Sequence, residues 1–404
     1  MRQGITRYLG AFGFAGTLAF FAASLAILFA VATADESGAA QPAPPAGVTP
    51  DAEPEPEPPK KAPVPAGAAA QTTKKAIWGT ASHNGFSLFS RYRDLGVGIF
   101  QTQARWEAIA PLTRPQDPTN PDDPAYQWPH YLDREIEEAE SHDMKVAIQL
   151  IGTPPWANGW RSWQFPAALP SEFAHFATAI ARRYPSVDLW MIWGEANRSG
   201  NFRPNPGARP EARKLTKKQR RTPQLYAGLL DAAYGALKDV DYRNQVIGGA
   251  TYFSGGKKEK IIRPYPWIRY MRLHDGSRPR MDMWSHNPYS YRKPDLRNKP
   301  SPKGRVDFSD LRRLAKALNR AFDVRLPLFL SEFGVPTARD QDFKFFVEPR
   351  TSRRWVRAAM KIVRRWDRIY TLGWSVPVDS GRNPQGLLTP ELNPKPAYPA
   401  FKYG

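Results

Sequence analysis

Short apolar runs alternate with longer amphipathic stretches along the chain from residue 75 onward. The apolar runs lie at 76–82, 96–103, 145–152, 188–195, 245–251, 282–289, 326–334 and 372–379. Helical periodicity predicts helices at 171–184, 222–240, 309–322 and 352–366, several of which begin with a capping Ser or Thr. Eight strands that alternate with helices predict an α/β fold with parallel pairing, closed as a (β/α)8 TIM barrel. The alternative, an open doubly wound sheet, lacks a glycine-rich phosphate loop after the first strand.

The first 34 residues differ in composition from the predicted barrel. Arg2 and Arg7 precede a run from Leu9 to Ala34 without a charged residue. The run suffices to cross a bilayer, which takes about 20 apolar residues, and exceeds the core of about 7–15 residues of a cleavable signal. It nevertheless ends in small residues that suit a signal peptidase. We therefore expect either a signal peptide or a membrane anchor, and in both cases an extracytoplasmic protein, secreted or anchored to the plasma membrane.

Residues 35–74 are rich in proline, alanine and charge, with no apolar periodicity. Such a composition predicts a disordered, extended linker, because it cannot form a packed core. A linker of this kind is most useful if the preceding segment stays in the membrane. The predicted catalytic domain then covers residues 75–404.

Charge and cysteine content narrow the possible functions. The 404 residues carry 58 Lys and Arg against 38 Asp and Glu, a formal net charge of +20, and contain no cysteine. Disulfides, thiolate metal sites and cysteine nucleophiles are therefore excluded. We do not expect nucleic acid as a partner, because the basic residues are dispersed and no nucleic-acid motif accompanies them. No metal or organic cofactor is expected, since no HExxH or other metal-ligand spacing occurs.

Candidate chemistry lies where the predicted strands end, because barrels of this kind place their active sites at that face. The polar and aromatic residues at these ends are Arg105, Trp106, Thr153, Trp156, Glu195, Asn197, His286, Tyr289, Glu332, Trp374 and Asp379. Two of them, Glu195 and Glu332, are glutamates that would face each other across the barrel mouth. Such a pair suits glycoside hydrolysis, in which one carboxyl donates a proton and the other is ionised.

Four segments resemble motifs of the large clan of retaining glycoside hydrolases built on (β/α)8 barrels. WMIWGEAN (190–197) resembles the clan's W-x-x-W-N-E-P-N, and LFLSEFG (328–334) its strand-7 segment. SHNPYS (285–290) and LGWSVPVD (372–379), the latter followed by NPKPAY, resemble the strand-6 and strand-8 segments. The resemblance covers residues 76 to 402 and is greatest to cellulase-type and β-xylosidase-like members.

The resemblance implies a role for each matched residue. Glu195 would be the acid/base and Glu332 the nucleophile, with carboxyl groups about 5–5.5 Å apart in a retaining enzyme. Tyr289 would donate a hydrogen bond to Glu332, and Arg105 would help to keep it ionised. The other implied substrate contacts are Trp156, Asn197, His286, which shapes the subsite, and Trp374, which forms its floor. The substrate would be a polysaccharide or oligosaccharide.

The chain departs from the clan's pattern beside the acid/base residue. The clan has Asn before this glutamate and Pro after it, whereas this chain has Gly194 and Ala196. That Asn amide binds the sugar 2-hydroxyl, an interaction that contributes to a transition-state stabilisation of several kcal/mol. Its loss implies weak catalysis, a different 2-substituent or a donor from elsewhere. The alternative function is a catalytically weakened glycan-binding protein on a hydrolase barrel.

Three predicted loops at the active-site face are strongly basic. They follow the fourth, fifth and sixth strands, at 203–221, 255–263 and 291–305. A basic rim raises the local concentration of an anionic substrate. We therefore hypothesise an acidic or anionically decorated polysaccharide. The alternatives are a solvated basic face and contact with anionic lipid.

Overall fold

Eight parallel strands close into a barrel at the centre of the domain. The computed structural model describes residues 61–255, 260–339, 345–380 and 383–404. The strands are β1 (Thr72–Trp78), β2 (Val97–Arg105), β3 (Lys145–Ile151), β4 (Leu189–Ile192), β5 (Gln245–Tyr252), β6 (Met283–Asn287), β7 (Leu328–Phe333) and β8 (Ile369–Trp374). Each pairs with its neighbour in chain order, and β1 pairs with both β2 and β8. The predicted (β/α)8 architecture is confirmed.

Helices follow the strands and form the outer layer. They are α1 (Phe89–Asp94), α2 (Trp106–Ile109), α3 (His130–Ser141), α4 (Pro155–Asn158), α5 (Pro170–Arg183), α6 (Lys217–Val240), α7 (Pro264–Tyr270), α8 (Leu311–Phe322), α9 (Pro349–Arg365) and α10 (Ala397–Lys402). Two 3-10 turns (Pro302–Gly304 and Phe308–Asp310) and a short hairpin (Ser82–His83 with Phe86–Ser87) complete the fold. The four predicted helices correspond to α5, α6, α8 and α9. Helix α6 begins earlier than predicted because Thr216 and Gln219 form a capping box.

The first strand begins four residues before the predicted run, within the predicted linker. The strand begins with polar residues, so the pattern of apolar residues does not reveal where it starts. One of these polar residues, Lys75, is buried. The Lys75 ammonium is satisfied by the carbonyl oxygens of Leu95, at 3.0 Å, and Lys402, at 2.6 Å. The last described part of the linker also contacts the barrel, since the backbone nitrogen of Ala62 donates to Ser141 O at 2.7 Å.

The predictions for the N-terminus concern residues that the structure mostly does not describe. The signal or anchor segment, 1–34, and most of the linker, 35–74, lie outside the described ranges. Within those ranges, no helix is both long enough and apolar enough to cross a bilayer.

Alternate residues of the strands face two different cores. Eight side chains form one cluster: Ala76, Ile99, Ala147, Leu189, Met191, Ile247, Met283 and Phe329. Their neighbours in sequence, such as Ile77 and Phe100, belong to the larger cluster that includes helix residues. This alternation places the small cluster inside the barrel. Two residues further along, β2, β3, β6 and β7 carry buried polar side chains at the inward position: Gln101, Gln149, Ser285 and Ser331.

Candidate active site

Glu195 and Glu332 share one site at the carboxyl ends of β4 and β7. Strand β4 ends at Ile192, and the chain then turns through Trp193 and Glu195 with positive φ angles of 64° and 43°. Non-glycine residues in this left-handed region cost about 1–3 kcal/mol each, and such strain clusters at functional sites. The turn holds Glu195 at 6% exposure, while Glu332 is partly buried.

The carboxyl pair holds a proton unusually strongly. Burial and then the negative charge of Glu195 raise the pKa of Glu332 to about 8. Three groups act in the opposite direction: the hydroxyl of Tyr289, the charge of Arg198 and the amide of Asn287. The Tyr289 hydroxyl donates to Oε2 of Glu332 at 2.8 Å. At neutral pH the pair therefore holds a proton more readily than a lone carboxyl group does.

Glu195 accepts hydrogen bonds at both carboxylate oxygens. Nη1 of Arg198 donates to Oε2 in a close ion pair, and Nδ2 of Asn287 donates to Oε1 at 3.0 Å. The guanidinium also lies 4.6 Å from the ring centre of Tyr252, a cation–π distance. Neither donor nitrogen can accept a hydrogen bond. The arrangement around Glu195 is therefore that of a carboxylate accepting two bonds.

A chain of side-chain hydrogen bonds supports Glu195 from inside the barrel. The hydroxyls of Ser285 and Ser331 lie 3.0 Å apart, and Ser331 donates to Oδ1 of Asn287 at 2.6 Å. The amide of Asn287 is thereby fixed with its nitrogen towards Glu195. Inspection of strand ends alone missed Ser285, Ser331 and Asn287 as site residues. Period-two alternation carries the signal, since these residues lie two or four positions beyond the inward-facing Met283 and Phe329.

Gly194 leaves room for a side chain from the neighbouring strand. A Cβ at this position would lie 2.8 Å from Oε1 and 2.9 Å from Nε2 of Gln149, on β3. The amide of Gln149 is held in place by Gln103, whose Nε2 donates to its oxygen at 2.7 Å. The amide group of Gln149 therefore lies beside Gly194, which has no side chain of its own.

Two of the predicted substrate-binding residues, Asn197 and His286, lie beneath the surface of the site. The amide nitrogen of Asn197 donates to the carbonyls of Tyr252 and Ile262, at 3.0 and 2.9 Å. Both ring nitrogens of His286 have partners, Thr251 and Val306, and burial lowers its pKa to about 4. In this arrangement neither residue can touch a substrate, because both are fully buried. They support the loops that carry Glu195 and Tyr252.

The aromatic and cationic predictions also have defined places. Trp374 is fully buried and donates its indole N–H to the carbonyl of Gln385 at 3.0 Å. Trp156 is partly exposed, with its indole N–H bonded to the carbonyl of Ala110 at 2.8 Å. Arg105 forms an ion pair with Glu107. The cation whose charge lowers the pKa of Glu332 is thus Arg198, not the predicted Arg105.

Two further strand-end residues, Asp379 and Trp106, are structural in their contacts, whereas the hydroxyl of Thr153 is buried without a hydrogen-bond partner among the residues that the structure describes. Asp379 accepts a hydrogen bond from Nζ of Lys395 at 2.6 Å, and the same ammonium donates to Thr337 at 2.8 Å. Trp106 is buried and stacks on Phe176, with ring centres 5.5 Å apart. Within the described ranges, no three His, Asp or Glu side chains are grouped as metal ligands.

Several solved glycoside hydrolases have a similar barrel. A family 39 glycoside hydrolase from Bacteroides cellulosilyticus WH2 matches with a TM-score of 0.57 and 18% identity, over 82% of this chain and 63% of that one. A monomeric β-xylosidase from Caulobacter crescentus CB15 matches with a TM-score of 0.52 and 19% identity, over 84% and 69%. Xylanase 10B from Thermotoga maritima gives 0.50 and 16%, over 81% and 93%.

These likenesses concern the fold. The sequence-based resemblance to glycoside hydrolase barrels is therefore confirmed at that level. No protein-family model and no curated protein matches the chain. The chain spans 63% of the length of the Bacteroides enzyme, less than two thirds of it.

Proposed function

We propose that this protein is a retaining O-glycoside hydrolase that acts on a polysaccharide or oligosaccharide. The observation that carries the proposal is the pair Glu195 and Glu332, which meet at the ends of β4 and β7 and influence each other's charge. Glycosidases use two carboxyl groups, one as proton donor and one as nucleophile. The barrels of similar fold include a xylanase and a β-xylosidase, which agrees with this chemistry.

In the proposed reaction, Glu332 attacks the anomeric carbon while Glu195 donates a proton to the departing oxygen. The bond between the anomeric carbon and that oxygen breaks as the glycosyl–Glu332 ester forms. Glu195 then removes a proton from water, which attacks the anomeric carbon and releases Glu332. The hydroxyl of Tyr289 favours the ionised form of Glu332 that the first step needs.

We further propose that Gln149 supplies the amide that the resembling clan carries at position 194. Its nitrogen lies where a side chain of residue 194 would begin. Because Gln103 holds the oxygen of this amide, the nitrogen is the atom available to a sugar hydroxyl. A donor from β3 then replaces the missing donor from β4.

An acidic polysaccharide is the proposed substrate class. A cavity of about 790 Å³ beside α7 and α8 supports this, because one carboxylate, Asp310, lines it with six basic residues. These are Arg269, Arg278, Arg305, Arg313, Lys316 and Arg320. Such a surface attracts polyanions, and the attraction weakens as salt rises. Hydrolysis of acidic and neutral glycans at increasing salt tests it; equal rates without a salt effect would contradict it.

The proposed location is extracytoplasmic, with the N-terminal segment either cleaved or retained in the membrane. This rests on the uncharged run from Leu9 to Ala34 and the preceding arginines. Fractionation of cells that produce the tagged full chain tests it. Recovery in the cytosol would contradict export, and recovery in membranes would favour the anchor.

A glycan-binding protein without turnover is the second candidate function. The ion pair between Arg198 and Glu195 favours it, because a guanidinium beside Glu195 opposes the protonated form that a general acid needs. On this view the barrel retains a sugar site but not its chemistry.

The two functions are separated by the variants Glu195→Gln and Glu332→Gln, tested on aryl glycosides and polysaccharides. We expect each to lower turnover by at least about 10³-fold, since each removes a group that acts on the reacting atoms. A 2-fluoro glycoside is expected to label Glu332 in the wild type, detected by peptide mass spectrometry. The control is Glu391→Gln, an exposed carboxylate. Binding without turnover by the wild type would instead establish the second function.

A further inference from the structure

Arg198 is a cation that faces both carboxyl groups of the site. Although burial disfavours its charge, the negative charge of Glu195 and the hydrogen bond to it raise the pKa of Arg198, so it stays protonated. Within the described ranges, Glu195 is the one hydrogen-bond acceptor of this side chain. The side chain is 22% exposed. Since a guanidinium has five N–H donors, several remain for a partner that enters the site.

The backbone of Arg198 is fixed by hydrogen bonds, whereas its side chain is partly exposed. Arg198 N donates to Glu195 O at 2.9 Å, and Arg198 forms an antiparallel bridge with Ile261. The adjacent Asn197 carbonyl accepts from Ile262 N at 2.9 Å. Displacement of the guanidinium therefore needs side-chain rotation only.

Arg198 obstructs the step that the proposed function assigns to Glu195. A general acid must present an O–H to the leaving oxygen, but both oxygens of Glu195 accept from protein donors. Each oxygen keeps a second lone pair, but a guanidinium charge beside Oε2 disfavours the protonated form of Glu195. Withdrawal of that donor therefore favours the acid form. Asn287 is buried and held by Ser331, so Arg198 is the donor that can move. Separating a guanidinium from a buried carboxylate is costly unless another anion receives it.

We infer that Arg198 selects the substrate: an anionic group on the glycan, next to the scissile bond, draws the guanidinium from Glu195 and frees this residue for catalysis. The inference rests on the proposed function and specifies its substrate class. A planar carboxylate, as in a uronic acid, matches the fork of the guanidinium with two parallel hydrogen bonds. Sulfate and phosphate esters share the same chemistry.

Withdrawal of Arg198 also places the proton where the reaction needs it. Before substrate binds, both oxygens of Glu195 accept hydrogen bonds from protein donors, which favours the carboxylate form of Glu195. Once Oε2 of Glu195 loses its guanidinium donor, this oxygen receives the proton and Glu332 becomes the carboxylate. One proton moves, no other bond is made or broken, and the charge of the pair is unchanged. A neutral glycan leaves Arg198 on Glu195 and is turned over slowly.

The test compares matched charged and neutral substrates with three variants. The substrates are p-nitrophenyl glucuronide, galacturonide and 6-sulfated glycosides with their neutral counterparts, and polygalacturonate and alginate with their carboxyl-reduced forms. The variants are Arg198→Ala, Arg198→Lys and, as the control, Arg209→Ala, which removes an exposed charge from the same loop. The quantity is the ratio of kcat/KM for the charged and neutral members.

We expect Arg198→Ala to lower this ratio by about 10- to 100-fold, the effect of a lost charge-assisted hydrogen bond, and Arg198→Lys to restore part of it. Arg209→Ala measures the long-range effect alone and is expected to change the ratio by about twofold or less. A ratio that Arg198→Ala leaves unchanged refutes the inference and leaves the hydrolase proposal intact.

Two cases remain: wild type is inactive on all of these substrates, or Arg198→Ala does not fold. If wild type turns over none of these substrates, the hydrolase proposal fails, and the switch of Glu195 fails with it. If Arg198→Ala does not fold, wild type alone provides the test. Free glucuronate is then expected to inhibit hydrolysis of the charged substrate at least about tenfold more strongly than glucose; equal inhibition refutes the inference.

Discussion

Replacement of Glu332 by glutamine is expected to stabilise the folded protein at alkaline pH while it abolishes catalysis. Burial and the charge of Glu195 raise the pKa of Glu332 to about 8, whereas the ordinary value is 4.5. Between these two pH values the folded chain holds a proton that the unfolded chain has released. The free energy of unfolding therefore falls as pH rises through this window, and the full cost is present above pH 8.

The size of the effect follows from the same displacement. Each tenfold change in proton affinity corresponds to about 1.4 kcal/mol, so the upper bound is about 5 kcal/mol. The proton is shared with Glu195, and glutamine retains an oxygen that accepts from Tyr289. We therefore expect Glu332→Gln to be more stable than wild type by about 2–4 kcal/mol at pH 9 and by about zero at pH 4.5.

Urea unfolding at pH 4.5, 7 and 9, followed by tryptophan fluorescence, measures this difference. Glu195→Gln is the matched control, because it leaves the half-buried Arg198 without its ion-pair partner and is expected to lower stability by about 1–3 kcal/mol at neutral pH. If the stability gained by Glu332→Gln does not grow between pH 4.5 and 9, the raised pKa of Glu332 is refuted.

Three further outcomes are expected. Gly194→Asn brings a Cβ to 2.8 Å from Gln149 and should cost about 1–3 kcal/mol of stability. Adding Gln149→Ala should restore the melting temperature and kcat/KM. If it does not, the contact between positions 194 and 149 is contradicted. Burial lowers the pKa of His286 to about 4, so stability should be lost as pH falls from 6.5 to 4, and His286→Gln should flatten this part of the unfolding curve. Lys395→Met leaves the carboxylate of Asp379 without its ammonium and should lower the free energy of unfolding by about 2–4 kcal/mol in urea, whereas a loss below about 0.5 kcal/mol would show that the pair is not structural.

The barrel could be predicted because its strands are buried on both faces. A strand such as β4 reads as a continuous apolar run, which stands out against the amphipathic helices. The prediction shifted the first strand because Lys75, a charged residue, is buried there with carbonyl partners from distant parts of the chain. No local pattern reveals that a charge is satisfied 327 positions away in sequence.

The placement of the two glutamates at one end of the barrel could be predicted because each follows a run of apolar residues. The support beneath them could not be found from strand ends, because it depends on which side chains point inward together. Asn287 reaches Glu195 from β6, and Ser331 orients Asn287 from β7. For Asn197 the position misleads: it suggests a substrate contact, but the amide donates to the backbone carbonyls of Tyr252 and Ile262.

The glycine before Glu195 is weaker evidence for lost catalysis than the sequence alone suggests. A missing amide at position 194 matters only if no other amide reaches the same space. The structure places the amide of Gln149 there, held by Gln103, and any larger residue at 194 would collide with it. The glycine at position 194, just after β4, therefore leaves the space that the Gln149 side chain from β3 fills. Doubt about catalysis rests instead on the ion pair between Arg198 and Glu195, which a suitably charged substrate can open.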